Sequence, residues 1–327
     1  MKKYIIKRIL AAVPLLFAVS FLTFFLIRLA PGDMLAPYRA NPQIPQETIR
    51  NLEQRFHLDK PLLVQYGYWL KNVLRGDLGY SFLKRDNVSA VIGSRLVNTL
   101  ILALFSIFIT WTIAIPLGIY AAMNQYKPID GFLSFISYIG ISFPNFFLAL
   151  LLLAAISVMP ELPIIGKLPL GGMKSADHES LSLIGQFFDV LKHLLVPGIV
   201  LATASMAGLQ RIMRGNMLEE LRQRYITTAR AKGLPENKVI YKHALRNAVN
   251  PLITIFGYEF SALLSGAALT EIITGYPGLG SVMLDAVRAQ DQFLIMGNLL
   301  MSGVLLISGN LLADILLATC DPRVKLS

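Results

Sequence analysis

The chain has 327 residues, 54% of them hydrophobic and only 15% charged, with a formal net charge of +10. At a mean hydropathy of +0.57 it has too few polar residues to solvate its own surface, which excludes an ordinary soluble domain and points to an integral membrane protein. Its one cysteine, Cys320, excludes an intramolecular disulfide and a cysteine-based metal cluster, so stability has to come from helix packing.

Six apolar runs are long enough to cross roughly 30 Å of hydrocarbon as helices. They lie near Ile9–Leu29, Thr99–Met123, Phe132–Met159, Leu191–Ile212, Leu252–Glu271 and Phe293–Thr319, which predicts an all-α membrane fold of six spans. The first run follows Lys2, Lys3, Lys7 and Arg8 and resembles a signal peptide at first sight. It is too long for one, and "APGDM" behind it is no small-residue cleavage site, so it reads as a retained span. Residues 30–98 are too long for a connector. Within them "PQETIRNLEQRFHLDKPLLVQYGYWLKNVLRG" has the apolar spacing of one or two amphipathic helices, which predicts a small external subdomain. Pro14, Pro116, Gly118, Pro144 and Pro197 interrupt the spans and read as kinks that shape packing. Arg28, near the outer end of the first span, is expected to snorkel to the interface. The turn-rich "PELPIIGKLPLGGMK" predicts a second external feature.

Basic residues set the orientation. The N-terminus has four, the short turn "NQYKPID" has Lys127, and the tail "DPRVKLS" has Arg323 and Lys325. The facing loops are poorer, with Lys167 and Lys174 in one and Arg288 in the other, which places both termini in the cytoplasm. The nine basic residues of 30–98 do not overturn this, because loops of that length translocate largely regardless of charge.

The segment from Thr227 to Pro251 has Arg230, Lys232, Lys238, Lys242 and Arg246 against a single acid, Glu236. "NMLEELRQRYITTARAKG" reads as a helix from Asn216 that stops at Gly233. Pro235 then suits the first turn of a second helix, "PENKVIYKHALRNAVN". On that helix Lys238, Lys242 and Arg246 form one basic stripe, and Val239, Ile240, Ala244 and Ala248 supply apolar surface. Anionic lipid would satisfy the charges alone. It would not account for the small residues Thr227, Thr228, Ala229 and Ala231 gathered before a glycine break, which permit close approach by a partner. With no interleaved aromatics and no recognisable nucleic-acid fold, nucleic acid is not a partner.

"TTARAKGL" followed by "HALRNAVNP" resembles the EAA-type loop of ABC-importer permeases, in the form of the dipeptide, oligopeptide and nickel family. The likeness extends along the whole chain through "LAPGDM", "RGDLGYS", "IPLGIYAA", "YIGISFPNFF", "LPLGG", "EIITGYPGLGSVMLDAVRAQD" and "DPRV". The chain departs from the general pattern at Thr227, where an acid is usual, and in the distance from Gly233 to Pro251; both departures resemble the peptide branch. The resemblance implies a type I, MetI-like importer architecture. Residues 1–29 would form an N-terminal span, 30–98 an extracytoplasmic subdomain, 99–319 the five-helix transport domain with a coupling loop at 213–250, and 320–327 a cytoplasmic tail.

It also implies partners: a second homologous permease, two cytoplasmic ATPase subunits, an extracytoplasmic solute-binding protein and membrane lipid. The chain itself would be no enzyme and hold no cofactor, with ATP and Mg bound by the ATPases. Consistent with that, no G-x-x-x-x-G-K-[ST] motif occurs, and "GKLPLGGMKS" has the residue types without the spacing. Thr227, Thr228, Ala229, Arg230, Ala231, Lys232, Gly233 and Leu234 would form the coupling loop, with Ala229 and Gly233 setting how deeply an ATPase approaches. Tyr276, Pro277 and Gly278 would meet the binding protein, Tyr276 as a rigid anchor, although a simple turn explains that loop as well.

Ionisable residues within spans are costly in lipid. Glu259 either faces the translocation path or pairs with a neighbouring subunit, beside a packing stripe of Gly257, Ser261 and Ser265. Asn310 and Asp314 share a face of the last span and are candidates for the path, with a structural hydrogen-bond role favoured. The importer would reside in a bacterial or archaeal cytoplasmic membrane and carry di- or oligopeptides, with nickel complexes or glycans as alternatives. A self-contained channel or secondary transporter would call for paired broken helices or several midplane acids, together with an inverted repeat, and neither requirement is met in the sequence.

Overall fold

The computed structural model describes residues 2–29, 34–161, 165–252, 255–256, 259 and 267–320. The first span is α1, Lys2–Leu29, and its apolar surface is left bare: Leu10, Leu26 and Leu29 are 64%, 63% and 68% exposed. A helix of that composition needs lipid around it. The segment that follows holds three helices, α2 (Ala36–Arg39), α3 (Gln46–Arg55) and α4 (Leu62–Val73), and an antiparallel hairpin of β1 (Tyr80–Ser81) and β2 (Asp86–Asn87). Tyr66 and Trp69 of α4 are buried with Ile49, Phe82 and Phe24 in one core, and Tyr66 shares a 2.9 Å hydrogen bond with Ser20 of α1. Arg28 reaches out of α1 to the following segment. It donates to Gln65 of α4 and lies over Phe24.

The second span is longer than its apolar core. Helix α5, Val88–Met123, has 36 residues, or about 54 Å at 1.5 Å per residue, well beyond the hydrocarbon thickness. The expected boundary at residues 98 and 99 therefore falls inside a helix, because nothing at Asn98 stops the helical ladder. The third run is not one straight span. It is split into α6 (Pro128–Ser142) and α7 (Asn145–Val158), which meet at 100°. Pro144 drives the break: it has no N–H to donate, and it pushes Phe143 to the extended conformation seen there, φ −89 and ψ 125. The fourth, α8, runs Leu183–Leu221 for 39 residues, started by Ser182, whose side chain accepts from Gly185 N at 3.2 Å.

After α8 the chain turns at Arg222 and Gln223 into α9, Arg224–Ala231. A helix unbroken from Asn216 to Gly233 is thus corrected to two, with Gln223 extended at ψ 147. The next helix starts as α10, Glu236–Lys238, passes through a π turn at Val239–Ala244 and ends as α11, Leu245–Ala248. Later in the described residues come α12 (Ala268–Ile273), α13 (Leu279–Arg288) and α14 (Gln292–Cys320). Among the described residues four helices are long and apolar enough to cross a membrane, or five if the bent pair counts as one span. Most of the expected fifth span, with Gly257, Ser261 and Ser265, lies outside the described residues, as does the tail after Cys320.

Helices α5 and α8 form the most extensive pairing, with α6 and α7 laid against α8 and α1 against α14. A buried ion pair fastens α6 to α8. Arg214 of α8 donates through Nε and Nη2 to both carboxylate oxygens of Asp130 in the first turn of α6, at 2.6 and 2.7 Å. Asp130 is only 4% exposed, and its fork geometry with a guanidinium is the form that makes a buried pair tolerable.

Candidate functional site

The basic loop is a packed element rather than a loose polybasic tether. Ile226 and Ala229 of α9 and Val239, Ile240, Ala244 and Ala248 of the following helix share one apolar cluster with Met213 and Met217 of α8 and Ala114, Ile119 and Ala122 of α5. Asn216 donates to Ala248 O at 3.0 Å, and Asn247 to the Tyr225 hydroxyl at 2.9 Å, which ties both ends of the pair down. The basic stripe is as expected: Lys238, Lys242 and Arg246 are all exposed on the opposite face.

Gly233 ends α9 as the sequence suggests. It sits at φ +73, and the turn is closed by Gly233 N to Arg230 O at 2.9 Å and Leu234 N to Ala229 O at 3.3 Å. That pattern needs a left-handed residue, and glycine takes it without a Cβ penalty. Arg230 bonds Glu236 at 2.6 Å across the turn and holds that carboxyl below the ordinary carboxylate range.

The small residues do not all face the same way. Ala229 is 8% exposed and belongs to the internal cluster, so it fastens α9 to the bundle and offers no surface to a partner. The exposed positions are Thr227, Thr228, Arg230, Ala231, Lys232 and Gly233, with Leu234 half-buried against the cluster. Of the two residues expected to govern close approach, Gly233 is exposed and Ala229 is not, and Ala231 is exposed beside it. Helical spacing explains the difference, because Ala229 lies three residues from Ile226 and shares its inner face.

Glu259 has a partner within the chain that linear reading could not show. Trp111 of α5 donates its indole N–H to Glu259 Oε2 at 2.9 Å, and Ser205 of α8 is a second hydrogen-bond partner. Asp314 is engaged elsewhere. It accepts from the Tyr4 hydroxyl at 2.7 Å and from Arg8 at 2.9 Å, so it joins α14 to α1. Asn310 lies four residues before it on the same helix, half-buried.

The loop "TGYPGLG" is built around a carboxylate. Glu271 of α12 is 0% exposed and accepts from Thr99 Oγ1 and from Gly280 N, each at 2.7 Å, and from the Ser281 backbone. Thr99 in turn accepts from Leu279 N at 2.9 Å. Asn98 donates to Pro277 O at 2.8 Å and takes the Tyr276 hydroxyl on its own carbonyl at 2.9 Å. Tyr276 is 0% exposed, so its ring is a core residue and no surface anchor. Gly278 is buried as well, and a Cβ there would stand 2.1 Å from Glu271 Oε1. Pro277 is half-buried and Gly275 exposed, so only these parts of the loop reach a surface. Sequence reasoning gave Glu271 no role. The available signal was a lone acid at a span end followed by two glycines that leave room for it.

The exposed apolar helices, four of them among the described residues long and apolar enough to cross a membrane, define a multi-pass membrane protein. Residues 114–326 match the family described as binding-protein-dependent transport system inner membrane component, and residues 1–103 match its N-terminal component. The chain belongs to this family of transport permeases. It is 41% identical over 99% of its length to the full oligopeptide transport system permease protein AppB of Bacillus subtilis. It is also 36% identical to the di/tripeptide transport system permease protein DppB of Pseudomonas aeruginosa, over 99% of each chain. A putative peptide transport system permease protein of Brucella abortus matches at 36%, again over 99% of both.

Proposed function

We propose that this chain is a permease subunit of an ATP-driven importer that takes di- or oligopeptides from an extracytoplasmic binding protein into the cytoplasm. The observation that carries the reading is end-to-end similarity to permeases named for oligopeptide and di/tripeptide transport. A second homologous permease completes the channel, and two cytoplasmic ATPase subunits bind ATP and Mg and supply the work. Both termini and the basic helix pair lie in the cytoplasm. Four crossings, by α1, α5, the bent α6–α7 pair and α8, would return the chain to the side of its N-terminus at residue 222, which supports that topology.

In this reading α9 and its Gly233 turn sit in a groove of an ATPase subunit. The shared cluster of α9 with α5 and α8 supports a lever mechanism, since displacement of the docked turn would carry the spans with it. Glu259, hydrogen-bonded to Trp111 and Ser205, is the acid in the path nearest to a role with the peptide amino group.

The deciding experiment is reconstitution in proteoliposomes with a partner permease, two ATPase subunits and an extracytoplasmic binding protein. ATP-dependent accumulation of a labelled di- or oligopeptide is expected. Uptake of a nickel complex or a glycan in place of peptide would overturn the substrate, and peptide uptake without ATP would overturn the importer class.

A further inference from the structure

The segment between α1 and α5, together with Phe293 of α14, lines an open cavity of about 560 Å³ that the transport reading leaves unused. That volume is in the range of small-molecule sites. Its floor is aromatic: Phe56 makes ring contacts with Phe82 at 5.1 Å, Phe293 at 5.7 Å and Tyr80 at 6.5 Å. Its charged groups are one cation and one anion. Arg55 lies over the Phe56 ring at 5.8 Å, and Asp77 accepts from Gly79 N at 2.8 Å, yet neither has an ion-pair partner among the described residues.

Two further features separate this cavity from an incidental gap. Trp69 lines it, is 4% exposed, and its buried indole N–H has no acceptor among the described residues. A buried donor of that kind is normally satisfied, by the chain, by water or by a bound molecule. His57, also in the wall, sits at φ +55 where α3 stops, a position that glycine would occupy without strain. The histidine holds its ring against Tyr68, with centroids 3.9 Å apart.

We propose that this cavity is a second binding site, for the free zwitterionic form of a short peptide. Arg55 receives the carboxylate, Asp77 the ammonium group, and the Phe56 cluster an apolar side chain. The indole N–H of Trp69 gains a carbonyl or carboxylate oxygen. The proposal shares the peptide class with the transport reading, but it concerns a site outside the path, on the side from which cargo arrives in the topology above. Both charges are needed in one ligand, which distinguishes a free peptide from the terminus of a docked protein, since a terminus brings only one.

The test uses the full chain in lipid nanodiscs and the dipeptide alanyl-phenylalanine, followed by calorimetry and by tryptophan fluorescence. Saturable binding is expected, with a fluorescence change that disappears in Trp69→Phe. Arg55→Gln and Asp77→Asn each weaken binding about tenfold or more, the usual effect of losing a charge-assisted bond. The N-acetyl and C-amide forms of the dipeptide weaken it similarly. Arg55 and Asp77 are exposed, so unchanged thermal unfolding serves as the check that both variants are folded. Normal binding by both variants, equal binding of blocked and free dipeptide, or no saturable heat at millimolar peptide would each overturn the proposal. Reconstituted uptake separates the two readings: normal peptide uptake with no cavity binding removes this site alone, whereas cavity binding without any ATP-driven uptake removes the importer alone.

Discussion

Thr99 and Glu271, 172 positions apart in the chain, are joined by a 2.7 Å hydrogen bond that closes the loop from Thr274 to Gly280 onto the side of α5. Both are almost fully buried, Thr99 at 1% and Glu271 at 0% exposure. Thr99→Val keeps the shape but strips a donor from the carboxylate and an acceptor from Leu279 N. A loss of about 3 kcal/mol is expected, whereas Thr99→Ser loses about 1 kcal/mol or less. Gly278→Ala forces a Cβ to 2.1 Å from the carboxylate and is expected to be worse than either. Thermal unfolding of the three variants in detergent ranks them; equal midpoints for Val and Ser would show that the bond contributes nothing.

Ala229 and Ala231 separate packing from docking. Ala229→Glu places a carboxylate in the apolar cluster under α9 and is expected to lower the amount of folded protein. Ala231→Glu changes only exposed surface, so membrane insertion stays normal while peptide uptake falls and ATP hydrolysis is uncoupled. Immunoblots of membranes together with uptake and ATPase rates read both effects. Wild-type uptake by the Ala231 variant would remove the docked turn from the mechanism.

Asp130→Ala leaves Arg214 without its buried carboxylate. Removal of one partner costs about 3 kcal/mol, at the lower end for such pairs because the Arg214 side chain keeps 25% of its exposure. The double variant Asp130→Leu with Arg214→Met is expected to recover most of that loss. A double variant less stable than Asp130→Ala in the same unfolding assay would contradict this account.

The Arg230–Glu236 pair gives the Gly233 turn a pH dependence of known sign. Arg230 lowers the carboxyl from its ordinary 4.5, so the pair's contribution is present above that value and is lost as pH falls through the lowered one. The amplitude is small, since the side chains are 45% and 53% exposed. Amide protection factors in α9, referenced to the unstructured exchange rate at each pH, are expected to fall on acidification in the wild type and to lose that dependence in Glu236→Gln. An identical pH profile for the two proteins would show that another group governs the turn.

Composition and run length alone determined that this is a membrane protein of bundled helices, and the ordered fragments from "RGDLGYS" to "HALRNAVNP" carried the transport family, because these signals are local. The glycine stop at Gly233 and the outward basic stripe are local for the same reason, being properties of one turn and one helix face. The tertiary structure decided which small residues are reachable, since Ala229 and Ala231 differ only in what the bundle packs beneath them. It also brought Trp111 to Glu259, Thr99 to Glu271, Arg214 to Asp130 and Tyr4 to Asp314, donors that lie 84 to 310 positions from their acids. A charge inside a membrane protein can be seen in the sequence, but the group that makes its burial tolerable is chosen by how distant helices meet.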